Sequence, residues 1–381
     1  MSFLKTLERH RWDDVRASIL SHTAADVERA LGQAAAGRCS LDALQALLSP
    51  AATPYLEPML RLAWQKTLQR FGRTVQLFAP LYVSNECHNI CSYCGFSMEN
   101  KIPRKILTDA ELLREAGALK KLNFDHVLVV SGESAQKVGM PYFEHALALL
   151  RPHFANISLE VQPLDTADYA KLRTLGLSAV LVYQETYNRE DYHRYHLKGR
   201  KADFDYRVET PDRLGEAGVH KIGLGALYGL EDWRVDSFFV ALHLDYLEHT
   251  YWRSRYSIAF PRLRPHAGGL EPKVEMTDHD LAQAICAFRL FSNEVEISLT
   301  TREAPRLRDH AMRLGVTTMS AGAKTNPGGY SNPGHPDGKD SSLEQFHMAD
   351  ERSPEAIAAM LRSQGYEPVW KDWDPCYDIA V

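Results

Sequence analysis

The chain has 381 residues, 45% hydrophobic and 24% charged, with a formal net charge of −5. That length and apolar content suit a large core with extensions, and the mild acidity excludes the broad basic face that nucleic acid or an anionic membrane would need. Met1 to His10 contains no apolar signal-like run, and nowhere do apolar residues approach the ~20 needed to span a bilayer, so the expected location is cytoplasmic. Six cysteines in such a chain, without a secretory leader, fit poorly with a disulfide framework.

Residues 1–72 read as a helical extension. Thr23 to Asp26 resembles a capping box opening a helix that ends near Gly37, Pro54 suits a first helical turn, and Tyr55 to Arg70 carries apolar residues at helical spacing. From residue 73 the pattern changes to alternating strand and helix. Eight strands are predicted at Val75–Val83, His126–Val130, Ile157–Gln162, Ala179–Tyr183, Lys221–Leu227, Arg255–Phe260, Glu294–Leu299 and Val316–Ser320, mostly continuous apolar or β-branched runs as in strands buried on both faces. Capping signals at Thr108, Asp165 or Thr166, Thr210-Pro211 and Thr277 open helices between them. Eight β/α repeats predict an α/β fold, a (βα)8 TIM-type barrel over residues 73–345; a doubly wound open sheet is the alternative. The tail, 346–381, holds one helix with Ser353 as cap and Gly365 as stop, followed by an aromatic stretch, Val369 to Cys376, expected to pack on the barrel. Cys286 reads as core, and Cys39 and Cys376 as isolated thiols.

Cys87, Cys91 and Cys94 follow the first predicted strand at spacing C-x3-C-x2-C, with no fourth cysteine near. A four-iron–four-sulfur (4Fe-4S) cluster takes one thiolate per iron, so three ligands leave one iron open to bind and reduce a small molecule. Zinc is the competing reading, but structural zinc wants two Cys pairs or a Cys/His set, and His88 would have to fold back sharply to serve. In a parallel barrel chemistry gathers at the C-terminal strand ends. There the sequence places Tyr82, Ser131-Gly-Glu133, Glu160-Val-Gln162, Gln184-Glu-Thr-Tyr187, Arg264, Thr300-Thr-Arg-Glu303 and Ser320. Gly223 to Gly229 departs from a dinucleotide fingerprint and is better read as close approach of a neighbouring strand. His193 and His196 read as a solvated helix face.

The cysteine loop resembles the signature of the radical S-adenosylmethionine (SAM) enzymes. Longer runs are similar to a narrower group, the 2-iminoacetate synthase family of tyrosine lyases in thiamine thiazole synthesis: Glu160 to Leu164, Val182 to Tyr187, Glu209 to Arg213, Lys221 to Ala226, Phe260 to Pro265 and Ser298 to Glu303. The related tyrosine lyase of hydrogenase maturation carries a second cysteine-ligated cluster in a C-terminal extension; here only Cys286 and Cys376 follow the loop. The resemblance implies one 4Fe-4S cluster held by Cys87, Cys91 and Cys94, and reductive cleavage of SAM to methionine and a 5′-deoxyadenosyl radical. L-tyrosine is then split at Cα–Cβ to 2-iminoacetate and p-cresol.

The same resemblance implies roles for single residues. Glu133 meets the SAM ammonium, Glu160 the ribose hydroxyls, Tyr93 and Phe96 flank cluster and adenine, and Arg207 pairs with the SAM carboxylate. Arg302 clamps the tyrosine carboxylate, assisted by Ser320, and Tyr82 positions the substrate. It implies thiazole synthase as protein partner and flavodoxin or ferredoxin as electron donor. Two alternatives stand beside it: another radical SAM lyase or sulfur-inserting enzyme, and a non-catalytic cluster or zinc carrier.

Overall fold

A computed structural model describes residues 2–265, 269–331 and 344–371. In chain order the strands are β1 (Thr74–Ser84), β2 (Ile90–Cys91), β3 (His126–Ser131), β4 (Asn156–Glu160), β5 (Leu177–Leu181), β6 (His196–Lys198), β7 (Lys221–Gly225), β8 (Arg255–Ala259), β9 (Glu296–Leu299), β10 (Thr318–Ser320) and β11 (Glu367–Val369). Eight of them pair in parallel in the order β1-β3-β4-β5-β7-β8-β9-β10, and β10 returns to β1 with Thr318 opposite Gln76. The sheet is therefore a closed barrel rather than an open doubly wound one. Its strands are buried on both faces, β7 over all five residues, which is why they read as unbroken apolar runs. A Cβ on Gly223 would lie 2.5 Å from Leu181 Cγ, so the glycine run admits the neighbouring strand β5, as the sequence suggests.

Helices cover the barrel where the caps predict them. Asp109–Lys121 and Asp278–Phe291 start at reciprocal capping boxes on Thr108 and Thr277, and Pro354–Ser363 starts at Ser353, whose hydroxyl accepts from the Ala356 N–H. The N-terminal segment is helical from Leu4 to Phe71, with the Thr23–Asp26 box in place. Pro54 sits in a 3-10 turn, Pro50–Tyr55, just ahead of the helix Leu56–Phe71. These helices share one apolar core with the barrel wall: Leu44, Leu47 and Ala63 belong to the same buried cluster as Ile285 and Phe288.

Two short pairings lie outside the barrel. β2 pairs antiparallel with β6, Cys91 opposite His196, and ties the cysteine loop to residues 196–198. β11 runs parallel to the start of β1, Thr74 opposite Glu367, before β3 takes over at Ala79. The sequence reading has no strand at 367–369. In the described part of the tail the Trp370 carbonyl accepts from the Asp125 N–H at 3.3 Å, and the Trp370 ring meets Phe124 edge-on. Trp373 and Cys376 lie outside the described residues.

Candidate active site

The cysteine loop leaves β1 at Ser84 and is fastened by hydrogen bonds to its own backbone. Arg104 Nη1 donates to the carbonyls of Asn85 and Phe96 at 2.7 and 2.8 Å, and its Nη2 to those of Ser97 and Asn100 at 2.7 and 3.2 Å. Asn100 Nδ2 donates to the carbonyls of Cys94 and Gly95 at 3.1 and 2.9 Å. A loop whose carbonyls are held this way presents its side chains in fixed directions. Cys94 lies between two apolar clusters, one with Cys87, Tyr82 and Phe96, the other with Cys91, Tyr93 and Leu227.

All three thiols are free. Burial pushes the Cys87 thiol up to about 11, with Glu133 and Cys94 adding to it, and burial likewise raises Cys91 and Cys94. A triad of thiolates of which Cys91 is buried and Cys87 and Cys94 are partly buried needs bound positive charge to persist. Three free thiols on one rigid loop, with charge repulsion between them and no disulfide, fit a 4Fe-4S cluster.

Beside the loop lies a buried ion network. Glu133, past the end of β3, accepts from Arg207 Nη1 at 2.9 Å and from Asn89 Nδ2 at 2.8 Å. Arg207 Nε donates to the Tyr183 carbonyl at 2.7 Å. Lys201 Nζ donates to Glu185 at 2.6 Å and stands 4.0 Å from Glu133. Burial disfavours ionised Glu133 and Glu185, but the nearby Arg207 and Lys201 outweigh it and hold both carboxyls below their usual range. Glu185 has φ +72°, a left-handed conformation costly for a non-glycine residue. Its carbonyl accepts from the Leu227 N–H at 2.7 Å, which holds the strained turn in place.

Lys201 and Glu185 of the network and Cys94 of the loop line one cavity at the C-terminal mouth of the barrel, about 1120 Å³ counting the space open to solvent; Glu133, Arg207, Cys87 and Cys91 are not on its wall. Cys94, Tyr82, Tyr93, Glu160, Arg302 and Ser320 all line it, so six of the eleven residues singled out from sequence share one wall space. Arg302 stands out electrostatically. Its guanidinium stacks on Phe346 at 3.4 Å from the ring centroid, yet it has no ion-pair or side-chain hydrogen-bond partner among the described residues. Burial lowers its proton affinity, with Tyr82 and Glu160 opposing. Burial pushes the Glu160 carboxyl up to about 7, against the pull of Arg302. Ser320 Oγ accepts from the Thr301 N–H at 3.0 Å, which holds the segment after β9 that carries Arg302.

Of the remaining sequence candidates, Phe96 sits behind the cavity wall, packed edge-on against Tyr82 at 5.9 Å between centroids. Tyr93 faces the cavity, and its hydroxyl lies 2.8 Å from His196 Nε2. The Tyr192 carbonyl, 2.9 Å from His196 Nδ1, can only accept, so Nδ1 carries the proton and Nε2 accepts from Tyr93. This corrects the reading of His196 as a solvated residue: it is 1% exposed, because β6 folds it back against β2, while His193 is exposed. Sequence reasoning missed Arg104, Lys201, Gln345 and Phe346. Glu185 was noted only as one of several strand-end polar residues.

A family profile described as "Radical SAM superfamily" matches residues 81–240, and one described as "Biotin and Thiamin Synthesis associated domain" matches residues 259–367. The chain is 54% identical over 364 residues to the 2-iminoacetate synthases of Escherichia coli (strain K12) and Salmonella typhimurium (strain LT2), covering 95% of this chain and 94% of each relative. Among solved structures, HydG, a maturase of the FeFe-hydrogenase, superposes with TM-score 0.89 at 28% identity, over 96% of this chain and 81% of that one. HydG from Carboxydothermus hydrogenoformans gives TM-score 0.84 at 30% identity, over 93% and 81%. With the cysteine loop at a barrel mouth and relatives this close over nearly the whole length, the chain belongs to the radical SAM superfamily and, within it, to the 2-iminoacetate synthase family.

Proposed function

We infer that the protein cleaves the Cα–Cβ bond of L-tyrosine to 2-iminoacetate and p-cresol, with SAM converted to methionine and 5′-deoxyadenosine. Cys87, Cys91 and Cys94 would hold the 4Fe-4S cluster, which when bound supplies the electron that breaks SAM. Glu133 keeps one lone pair on each oxygen beyond its bonds to Arg207 and Asn89, enough to accept from the SAM ammonium. Arg207 keeps Glu133 ionised, and its Nη2, 3.7 Å from Glu185 Oε1 and without a hydrogen bond among the described residues, can donate to the SAM carboxylate. Glu160, as a carboxylate, accepts from vicinal hydroxyls of the ribose. Tyr93, held by His196, and Phe96, behind Tyr82, keep the aromatic walls in place.

Arg302 carries the assignment to an amino-acid substrate. A cavity-facing guanidinium without a carboxylate partner among the described residues is matched by the substrate's own carboxylate, in a planar two-bond grip that the Phe346 stack orients. Ser320 fixes the backbone beside it, and Tyr82 offers a hydroxyl at the same wall. Enclosure matters because a carbon radical attacks any loosely placed neighbour. Among the described residues no helix is long and apolar enough to cross a membrane. The unstable imine product supports hand-over to a thiazole synthase, and the one-electron step supports flavodoxin or ferredoxin as donor, in a cytoplasmic setting. Anaerobic incubation of the reconstituted protein with SAM, a reductant and tyrosine is expected to yield p-cresol and 5′-deoxyadenosine together. 5′-Deoxyadenosine without p-cresol would instead support a different radical SAM reaction.

A further inference from the structure

Gln345 comes from the far end of the chain and reaches both halves of the site. Its Oε1 accepts from the Tyr82 hydroxyl at 2.8 Å, and its Nε2 lies 3.8 Å from Cys94 Sγ. Its backbone carbonyl accepts from the Gly95 N–H at 3.2 Å, and its own N–H donates to the Thr325 carbonyl at 3.2 Å. The approach is tight by construction: a Cβ on residue 95 would lie 2.5 Å from the Gln345 carbonyl oxygen, so only glycine admits the tail there. The amide orientation is determined by its partners. A thiolate can only accept, so the NH2 end must face Cys94 and the carbonyl end the hydroxyl.

We propose that Gln345 is a positioning residue that donates an N–H···S hydrogen bond to the Cys94 sulfur and so tunes the reduction potential of the cluster, with Tyr82 holding the amide in register. Such a bond stabilises negative charge on sulfur, and therefore favours the reduced over the oxidised cluster. It also links the cavity wall that faces the substrate to the cluster ligand nearest it. The proposal rests on the reading of Cys94 as a ligand, so its test must separate the two.

The test is an EPR-monitored redox titration of the reconstituted full chain without SAM, with iron content measured on each sample. Gln345→Met removes both bonds, and the reduction equilibrium is expected to fall about threefold, roughly 28 mV more negative at 59 mV per tenfold for one electron. Gln345→Glu keeps an acceptor for Tyr82 but sets an oxygen against the sulfur, and is expected to shift the potential further in the same direction. Tyr82→Phe frees the amide and shifts it less. Gln345→Asn, one methylene too short to reach, should match Gln345→Met. An unchanged or raised potential in Gln345→Met and Gln345→Glu at parental iron content overturns the proposal; if Gln345→Met does not load iron, Gln345→Glu and Tyr82→Phe decide it on the same criterion. Absence of iron from the parent protein would overturn the ligand reading itself and the proposal with it.

Discussion

Replacing Glu160 by Gln tests the electrostatics of the cavity with a known sign. The carboxyl is pushed from 4.5 up to about 7, by burial first, with Arg302 opposing and Glu185 adding to it. Its folded-state affinity for a proton therefore exceeds that of the unfolded chain. Between pH 4.5 and 7 the folded protein holds a proton that the unfolded chain has lost, so stability falls as pH rises through that window and levels off above it. Each tenfold change in proton affinity is 1.36 kcal/mol, so ionised Glu160 costs the empty folded protein about 3 kcal/mol above pH 7. Glutamine keeps the shape without the charge. Urea unfolding of the metal-free protein is expected to give Glu160→Gln and parent similar midpoints at pH 5, and a higher midpoint for the variant at pH 8. The same substitution should weaken SAM binding at pH 8, because an amide offers one neutral acceptor oxygen where the carboxylate offers two charged ones. Equal pH dependence of the two midpoints would refute this account of Glu160.

Arg302→Lys keeps the charge but loses the planar fork and the stack on Phe346, so the tyrosine KM should rise about tenfold, ~1.4 kcal/mol, while iron content and SAM cleavage without tyrosine stay at parental levels. Steady-state kinetics on the reconstituted protein reads this. Arg104→Met removes a donor from four loop carbonyls, of which those of Ser97 and Asn100 keep a backbone N–H and those of Asn85 and Phe96 lose their partner among the described residues; iron bound per chain should fall after reconstitution, with the far-UV spectrum unchanged. Arg308 and Asp350 form a fully buried pair that anchors the tail, so Asp350→Ala should cost about 3–5 kcal/mol in denaturant unfolding, more than the double replacement Arg308→Met with Asp350→Leu.

The barrel was legible because strands buried on both faces and helices with strong caps announce themselves locally. All eight strands appear where the runs fall, and the differences lie at their ends. Gln162, Tyr183 and Leu227 lie past the strand ends, where isolated parallel bridges, Glu185 to Ala226 and Tyr228 to Arg262, continue the contact. The placement of the cysteine loop, Glu133, Glu160 and Arg302 at the strand ends was legible, because each directly follows or closes an apolar run. Gln345 and Phe346 were not, because their partners are remote in sequence: Tyr82 and Cys94 precede Gln345 by 263 and 251 residues. His196 and Lys201 sit in a polar stretch, Tyr192 to Lys201, whose composition suits solvent. The pairing of β6 with β2 turns His196 inward, and Lys201 is held by its N–H to Asn89 Oδ1 and its Nζ to Glu185. Arg104 bonds backbone carbonyls, and nothing about carbonyls shows in side-chain pattern.

The central claim is that Cys87, Cys91 and Cys94 alone hold a cluster that SAM can reach. EPR of the anaerobically reconstituted, reduced protein tests it most directly, recorded before and after addition of SAM. The account predicts a 4Fe-4S signal that changes when SAM is added and is lost in Cys94→Ala. A zinc-loaded protein, or a cluster signal indifferent to SAM, would contradict it.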